Sequence, residues 1–125
     1  MSTNDPSTTQ LNLPEPIANY VRAVNNGARD DFRASFAGDA VVVDVNREFS
    51  GIDAITEWAG TDIFGANVRV DVLNVTERQG RTVVALEVDG TFDRTGLPDP
   101  LVLSHDFKLA EGKIAELRIA LEATH

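Results

Sequence analysis

The sequence predicts an α+β fold in which a cone-shaped, curved antiparallel sheet wraps around three N-terminal helices. Apolar residues recur at helical spacing within residues 16–64, interrupted by one short β-branched run. After Gly65 the apolar pattern changes to a period of two, and turn-forming residues divide the rest of the chain into four strands. Helices gathered on one side of such a sheet cover its concave face. A cone of this kind leaves a cavity.

The first helix follows a polar segment that has no hydrophobic period. Residues 1–13 are rich in Ser, Thr, Asn and Gln, so we expect a disordered tail, followed by a single domain over 14–125. The helix begins near Pro16 and stops at Gly27, after a pair of asparagines. Its apolar positions at helical spacing are Ile17, Tyr20, Val21 and Val24.

Two more helices are predicted before Gly65. The second covers residues 28–37, where Phe32 and Phe36 form an i, i+4 pair that faces inward. The third begins at the S-x-x-D pattern of residues 50–53, which has the form of a capping box, and runs to about Phe64. Both helices are expected to pack on the same core.

Five strands are predicted, the first of them between the second and third helices. Residues 40–45 are mostly β-branched, and Asp44 interrupts this otherwise apolar strand on the same face as Val42. A hairpin of two long strands follows, with its turn at residues 78–80. Turn-forming residues 93–100 separate it from a second hairpin, whose strands cover 101–109 and 113–121.

Composition excludes several classes of function. The formal net charge of −9 repels phosphate backbones, and the eleven Lys and Arg residues are scattered, so we expect no nucleic acid partner. The chain has no cysteine, and the two histidines, His105 and His125, have no metal-ligand spacing, so no metal site is predicted. No apolar run is long enough for a membrane span, and the first residues do not resemble a signal peptide. We therefore expect a cytoplasmic protein that needs no cofactor.

The order of elements and two segments resemble a known superfamily. Residues 20–27, together with 36–44, look like the start of bacterial ketosteroid isomerases, which belong to the nuclear transport factor 2-like superfamily with its cystatin-like cone. The superfamily also includes SnoaL-like polyketide cyclases, dehydratases and noncatalytic association domains. The resemblance therefore implies the fold, and it leaves several reactions open.

The resemblance also implies three catalytic positions. In ketosteroid isomerases a tyrosine of the first helix donates to the enolate and an aspartate at the end of the first strand moves the proton, which assigns these roles to Tyr20 and Asp44. The third group of the family is a protonated aspartate, a worked case of a neutral acid that donates to an enolate. Its position is taken here by His105, within residues 105–109, which departs from the family pattern. A shift of one residue would select Asp106 instead, but the period of two places His105 on the inward face with Phe107.

Each of these residues also has a structural interpretation. Asp44 could be paired with Arg47, Tyr20 could be a core residue, and His105 could be a hydrogen-bonded core histidine, which we expect to be neutral if burial dominates. The apolar wall of the pocket is predicted to consist of Phe32, Phe36, Trp58, Phe64, Phe92, Leu103 and Phe107.

Two functions follow from these alternatives. The first is a ketosteroid isomerase-like enzyme that isomerises, cyclises or dehydrates a small hydrophobic carbonyl compound by proton transfer. In it Asp44 is the base, and Tyr20 and His105 donate to the developing oxyanion. The alternative is a noncatalytic small-ligand-binding or dimerisation module, in which Arg47 neutralises Asp44. The resemblance implies a homodimer in either case.

Overall fold

The computed structural model describes residues 13–93 and 95–121, so most of the predicted tail, residues 1–12, lies outside the described residues. The helices are α1 (Glu15–Asn26), α2 (Arg29–Ala34) and α3 (Ile52–Ala59), and α3 continues into a π-helical segment, Gly60–Phe64. Helix α1 ends at Gly27, which adopts the left-handed conformation with φ 65° and whose N–H bonds back to the helix. The predicted stop is thus confirmed.

The described residues form six strands. Two of them lie between α2 and α3, and the other four follow the π-helical segment. Their bounds are β1 (Phe36–Asp44), β2 (Arg47–Ser50), β3 (Arg69–Arg78), β4 (Arg81–Asp89), β5 (Leu101–Ala110) and β6 (Lys113–Leu121). They form one curved, unclosed sheet in the order β2-β1-β6-β5-β4-β3. The two predicted hairpins, β3–β4 and β5–β6, are both confirmed.

The sheet is mixed, whereas the sequence predicted an antiparallel one. Strand β1 pairs with β6 in parallel, with Val42 beside Leu117 and Asp44 beside Ile119. This pairing joins the two ends of the domain rather than neighbours in sequence, and a local period contains no information about it. Strand β2 was not predicted either, because residues 47–50 are mostly polar and lie at the sheet edge, where a strand needs only one partner.

Helix boundaries differ from the prediction at two points. Helix α2 ends at Ala34, and Phe36 already belongs to β1, although its ring still lies 5.1 Å from that of Phe32. The S-x-x-D pattern does not form a capping box: Gly51 is the N-cap of α3, and no side chain caps this helix. Gly51 has φ 89°, a conformation that favours glycine over serine at this position.

The core lies between the helices and one face of the sheet. Alternate residues of β4 and β5 point to this side, and Val84, Leu86 and Phe107 are fully buried there. Helix α1 contributes Ile17 and Tyr20 to the same cluster. Because the helices cover only part of this face, the remainder of it lines a cavity.

Candidate functional site

The cavity has a volume of about 670 Å³ and a mostly apolar wall. Strands β3, β4 and β5 supply Val70, Val88, Leu101 and Leu103, and Val68 precedes β3 directly. The π-helical segment supplies three consecutive residues, Thr61, Asp62 and Ile63. Exposed members of the lining, such as Val45, Leu97 and Leu121, mark its mouth. Its size and apolar character suit a small hydrophobic molecule.

The three predicted catalytic residues, Tyr20, Asp44 and His105, all line this one cavity. They come from α1, the last residue of β1 and the middle of β5, so only the tertiary structure brings them together. Because β1 and β5 both pair with β6, Asp44 and His105 each lie beside Ile119, in register on either side of that strand. Whether these residues catalyse a reaction remains a prediction.

Tyr20 is held by both its helix and its ring contacts. Asn25, one and a half turns later in α1, exchanges two hydrogen bonds of 2.8 and 3.0 Å with the backbone of Val70, which fastens the helix to β3. The Tyr20 ring is 2% exposed and packs 5.4 Å from Phe32 and 5.5 Å from Phe107, measured between centroids. These contacts fix the direction of the phenol.

The hydroxyl of Tyr20 has no hydrogen-bond partner among the described residues, yet it is not sealed from water-sized molecules. Burial, and then the negative charge of Asp44, raise the pKa of this phenol above its ordinary value. The group therefore keeps its proton and is available to donate to a ligand in the cavity.

Asp44 is anchored through one of its two oxygens. The Oδ2 atom accepts from Arg47 Nη2 at 2.7 Å and from Trp58 Nε1 at 3.1 Å. The Oδ1 atom has no partner in the described part of the chain and is open to water-sized molecules, with the side chain 18% exposed. Two donors on one oxygen orient the carboxylate and leave the other oxygen free.

Arg47 joins two carboxylates at the mouth of the cavity. The Nη2 atom that binds Asp44 also binds Asp62 of the π-helical segment. The guanidinium carbon lies 5.5 Å from the centroid of the Phe49 ring. The pairing of Asp44 with Arg47 is the alternative that the sequence left open. Asp62 was not predicted as a site residue, and its place in an otherwise ordinary helical pattern contains no signal that distinguishes it.

His105 is buried, and one contact of its ring indicates which nitrogen carries the proton. It is 4% exposed, and burial lowers the pKa of its imidazole to about 4, which agrees with the expectation of a neutral ring. Its Nδ1 lies 3.3 Å from the carbonyl oxygen of Leu103, which can only accept, so Nδ1 carries the proton. The single N–H of the neutral ring is thus already used. With the proton on Nδ1, the ring has no second N–H for a ligand oxygen, and the donor role that the resemblance implied for His105 stays a prediction.

The predicted aromatic wall divides into cavity and core residues. Trp58, Phe92 and Leu103 line the cavity as expected. Phe32, Phe36, Phe64 and Phe107 do not, because their rings pack on one another or on Tyr20 between the helices and the sheet. Three of them, Phe32, Phe36 and Phe107, contact the Tyr20 ring, and Phe64 contacts Phe32. A hydrophobic period marks all seven residues as inward-facing and cannot separate the two groups.

Two further properties bear on the site. No group of three or more His, Asp or Glu side chains is placed to hold a metal ion within residues 13–93 and 95–121. Among the helices of the same ranges, none is long and apolar enough to cross a membrane.

Comparisons with known proteins give the family. The sequence profile of the SnoaL-like domain matches residues 17–117. A comparison with curated proteins gave no match. Among solved structures, a protein of Sinorhizobium meliloti proposed to be a polyketide cyclase is 29% identical with a TM-score of 0.77, and the match covers 86% of this chain and 95% of that one.

Two other structures share the fold at lower identity. The Δ5-3-ketosteroid isomerase of Mycobacterium sp. is 20% identical, with a TM-score of 0.69 and coverage of 86% of this chain and 91% of that one. A computationally designed 17-OHP binder is 16% identical, with a TM-score of 0.71 and coverage of 87% and 90%. The profile match over most of the chain and the shared fold show that this protein belongs to the SnoaL-like domain family of the nuclear transport factor 2-like superfamily.

Proposed function

We propose that this protein binds a small hydrophobic carbonyl compound in the cavity and catalyses proton transfer on it, as in isomerisation, cyclisation or dehydration. One observation carries the proposal. A protonated Tyr20 hydroxyl and the free Oδ1 of Asp44, a donor and a base without partners among the described residues, open onto the same apolar cavity. Proton abstraction next to a carbonyl needs these two groups.

The chemistry of each residue follows from its surroundings. Tyr20 donates to the carbonyl oxygen, where negative charge develops as the adjacent carbon loses its proton. Asp44 Oδ1 accepts that proton, and Arg47 and Trp58 hold the carboxylate in one orientation through Oδ2. With its one proton on Nδ1, beside the Leu103 carbonyl, His105 contributes no second donor. The oxyanion is therefore stabilised by one side-chain donor, where ketosteroid isomerases use two.

The alternative function, noncatalytic binding of a small ligand, is favoured by one specific observation. Arg47 pairs with Asp44 at 2.7 Å, which is the ion pair that a binding module would use to compensate the charge of this carboxylate. The similarity to a designed 17-OHP binder agrees with this function, and the similarity to a ketosteroid isomerase agrees with the first. The two functions differ in whether Asp44 is needed for turnover or only for binding.

The first test uses isomerisation of a β,γ-unsaturated ketosteroid, followed by ultraviolet absorbance. Because the true substrate can differ, a second assay measures exchange of the α-protons of 2-tetralone for deuterium by NMR. We expect wild-type protein to accelerate at least one reaction above buffer. Asp44→Asn and Tyr20→Phe should each lower that rate by about 100-fold or more, the range for loss of a general base or an oxyanion donor.

A matched control separates catalysis from a change of charge. Asp93 also lines the cavity, but it is exposed and accepts from the Thr95 backbone N–H, so Asp93→Asn should retain the wild-type rate. Trp58, the only tryptophan of the chain, reports ligand binding by fluorescence in every variant. Binding without acceleration of either reaction would refute the catalytic proposal and support the binding module.

A further inference from the structure

The buried part of the cavity contains two polar groups with opposite hydrogen-bonding roles. Tyr20 presents a donor, and His105 presents the unprotonated Nε2 of its ring, because Nδ1 carries the proton that is donated to the Leu103 carbonyl. The two rings are neighbours, with centroids 6.2 Å apart in an edge-on arrangement. No hydrogen bond joins the two groups in the structure. Tyr20 can therefore bind an acceptor of a ligand, and His105 Nε2 can bind a donor.

The Nε2 atom faces accessible space rather than packed protein. Among the buried side chains of residues 13–93 and 95–121, Arg81 Nη2 is the only nitrogen or oxygen that is both sealed from water and unpartnered. Nε2 of His105 has no partner there, so it must be reachable by a water-sized molecule. His105 lines the cavity, and the cavity is the space from which Nε2 can be reached.

A simple ketone cannot satisfy both groups. Its oxygen accepts from Tyr20, but it has no proton to offer Nε2, which then loses contact with water when the apolar ligand fills the cavity. An acceptor buried without a partner costs about 1–3 kcal/mol. A ligand that also has a hydroxyl avoids this cost, and a neutral hydroxyl enters an apolar cavity more readily than a charged amine does.

We propose that the cavity selects carbonyl compounds that also contain a hydroxyl group, and that His105 Nε2 accepts the hydrogen bond from this hydroxyl. His105 is then a specificity-determining residue. The inference rests on the proposed function for the place of the carbonyl at Tyr20, but it concerns binding and requires no turnover. It also explains how a histidine can occupy a position where a second oxyanion donor was expected.

The test compares three ligands of one scaffold by isothermal titration calorimetry: 2-acetylnaphthalene and its 6-hydroxy and 6-methoxy derivatives. The methoxy compound keeps the oxygen and lacks only the donor, and the parent controls for bulk. We expect wild-type protein to bind the hydroxy compound about 10-fold more tightly than the other two, within the range for one buried hydrogen bond. Equal affinities for the hydroxy compound and the parent would overturn the inference.

Variants assign the preference to His105. His105→Phe should abolish the preference by raising the affinity for the parent, because no acceptor is then buried without a partner. Tyr20→Phe should weaken the binding of all three ligands. His105→Gln places an amide oxygen near the position of Nε2 and should restore part of the preference. A preference that survives His105→Phe would overturn the assignment. If that variant does not fold, nitrogen NMR of the histidines in wild-type protein replaces it, and a proton on Nε2 of His105 would refute the inference.

The outcomes separate this inference from the proposed function. Selective binding without proton transfer in the assays above removes the catalytic proposal and leaves the hydroxyl preference intact. Proton transfer without selective binding removes the hydroxyl preference and leaves the catalytic proposal intact. If none of the three compounds binds to the wild-type protein, this inference is refuted. The proposed function is refuted as well if neither proton-transfer assay shows acceleration.

Discussion

The burial of a neutral histidine predicts a specific dependence of stability on pH. His105 has a pKa of about 4 in the folded protein, against an ordinary value of 6.5 that is expected in the unfolded chain. The folded value is the lower one, so the unfolded state takes up the proton first as the pH falls. The stability that this group contributes is therefore fully present above pH 6.5, and it is lost progressively between pH 6.5 and 4.

The magnitude follows from the size of the shift. Each pKa unit corresponds to about 1.4 kcal/mol, so between about pH 7.5 and about pH 4.5 His105 should lower the free energy of unfolding by roughly 2 to 3 kcal/mol. Two titratable groups lie near His105. The negative charge of Asp44 favours the protonated form of His105, and Tyr20, whose ring contacts the imidazole, stays neutral. Burial exceeds the effect of Asp44.

The assay is urea unfolding of the wild type and of His105→Phe at both pH values, at one protein concentration. Carboxylates titrate in both proteins, so their contribution cancels in the difference between the two pH dependences. The wild type should lose roughly 2 to 3 kcal/mol more than the variant on acidification. Equal losses would show that His105 is not buried as a neutral group, and this result would refute the reasoning.

Three further predictions concern packing and assembly. Phe32→Ala should lower the free energy of unfolding, measured in urea, by about 3–5 kcal/mol, because this ring is 1% exposed. Leu97 is exposed, so Leu97→Ala should change the same free energy by less than about 1 kcal/mol. Similar values for both variants would contradict the assigned core. Gly65→Ala should lower the melting temperature, because the added Cβ would lie 2.7 and 2.9 Å from two carbonyl oxygens of the π-helical segment. A Cβ at Gly38 would have no atom within 4 Å, so Gly38→Ala should leave the melting temperature unchanged. The homodimer remains a prediction. In sedimentation velocity the wild type should be a dimer, and Val83→Glu, on the outer face of the sheet, should be a monomer. A monomeric wild type would refute this prediction.

Much of the fold was accessible from local patterns in the sequence. Helical spacing and the period of two are consequences of backbone geometry, so the three helices and the two hairpins could be predicted with only small errors at their ends. The same alternation placed His105 on the inward face of β5, and the structure confirms this. It placed Asp44 on the same face of β1 as Val42, and the structure shows that Asp44 lines the cavity. The family match confirms the superfamily that residues 20–27 and 36–44 indicated.

Other features depend on contacts between residues distant in sequence. The parallel pairing of β1 with β6, the edge strand β2 and the ion pairs of Arg47 with Asp44 and Asp62 have no local signal. The division of aromatic residues into cavity and core has the same origin, since both groups face inward.

The role of His105 shows the difference between the two kinds of information most clearly. Its residue type and inward face were determined by the sequence alone. Its neutral state and its tautomer were decided by burial and by the position of one carbonyl oxygen, that of Leu103. Hydrogen-bonding roles depend on distances of a few tenths of an ångström and on the exclusion of water, and only the packed tertiary structure establishes these.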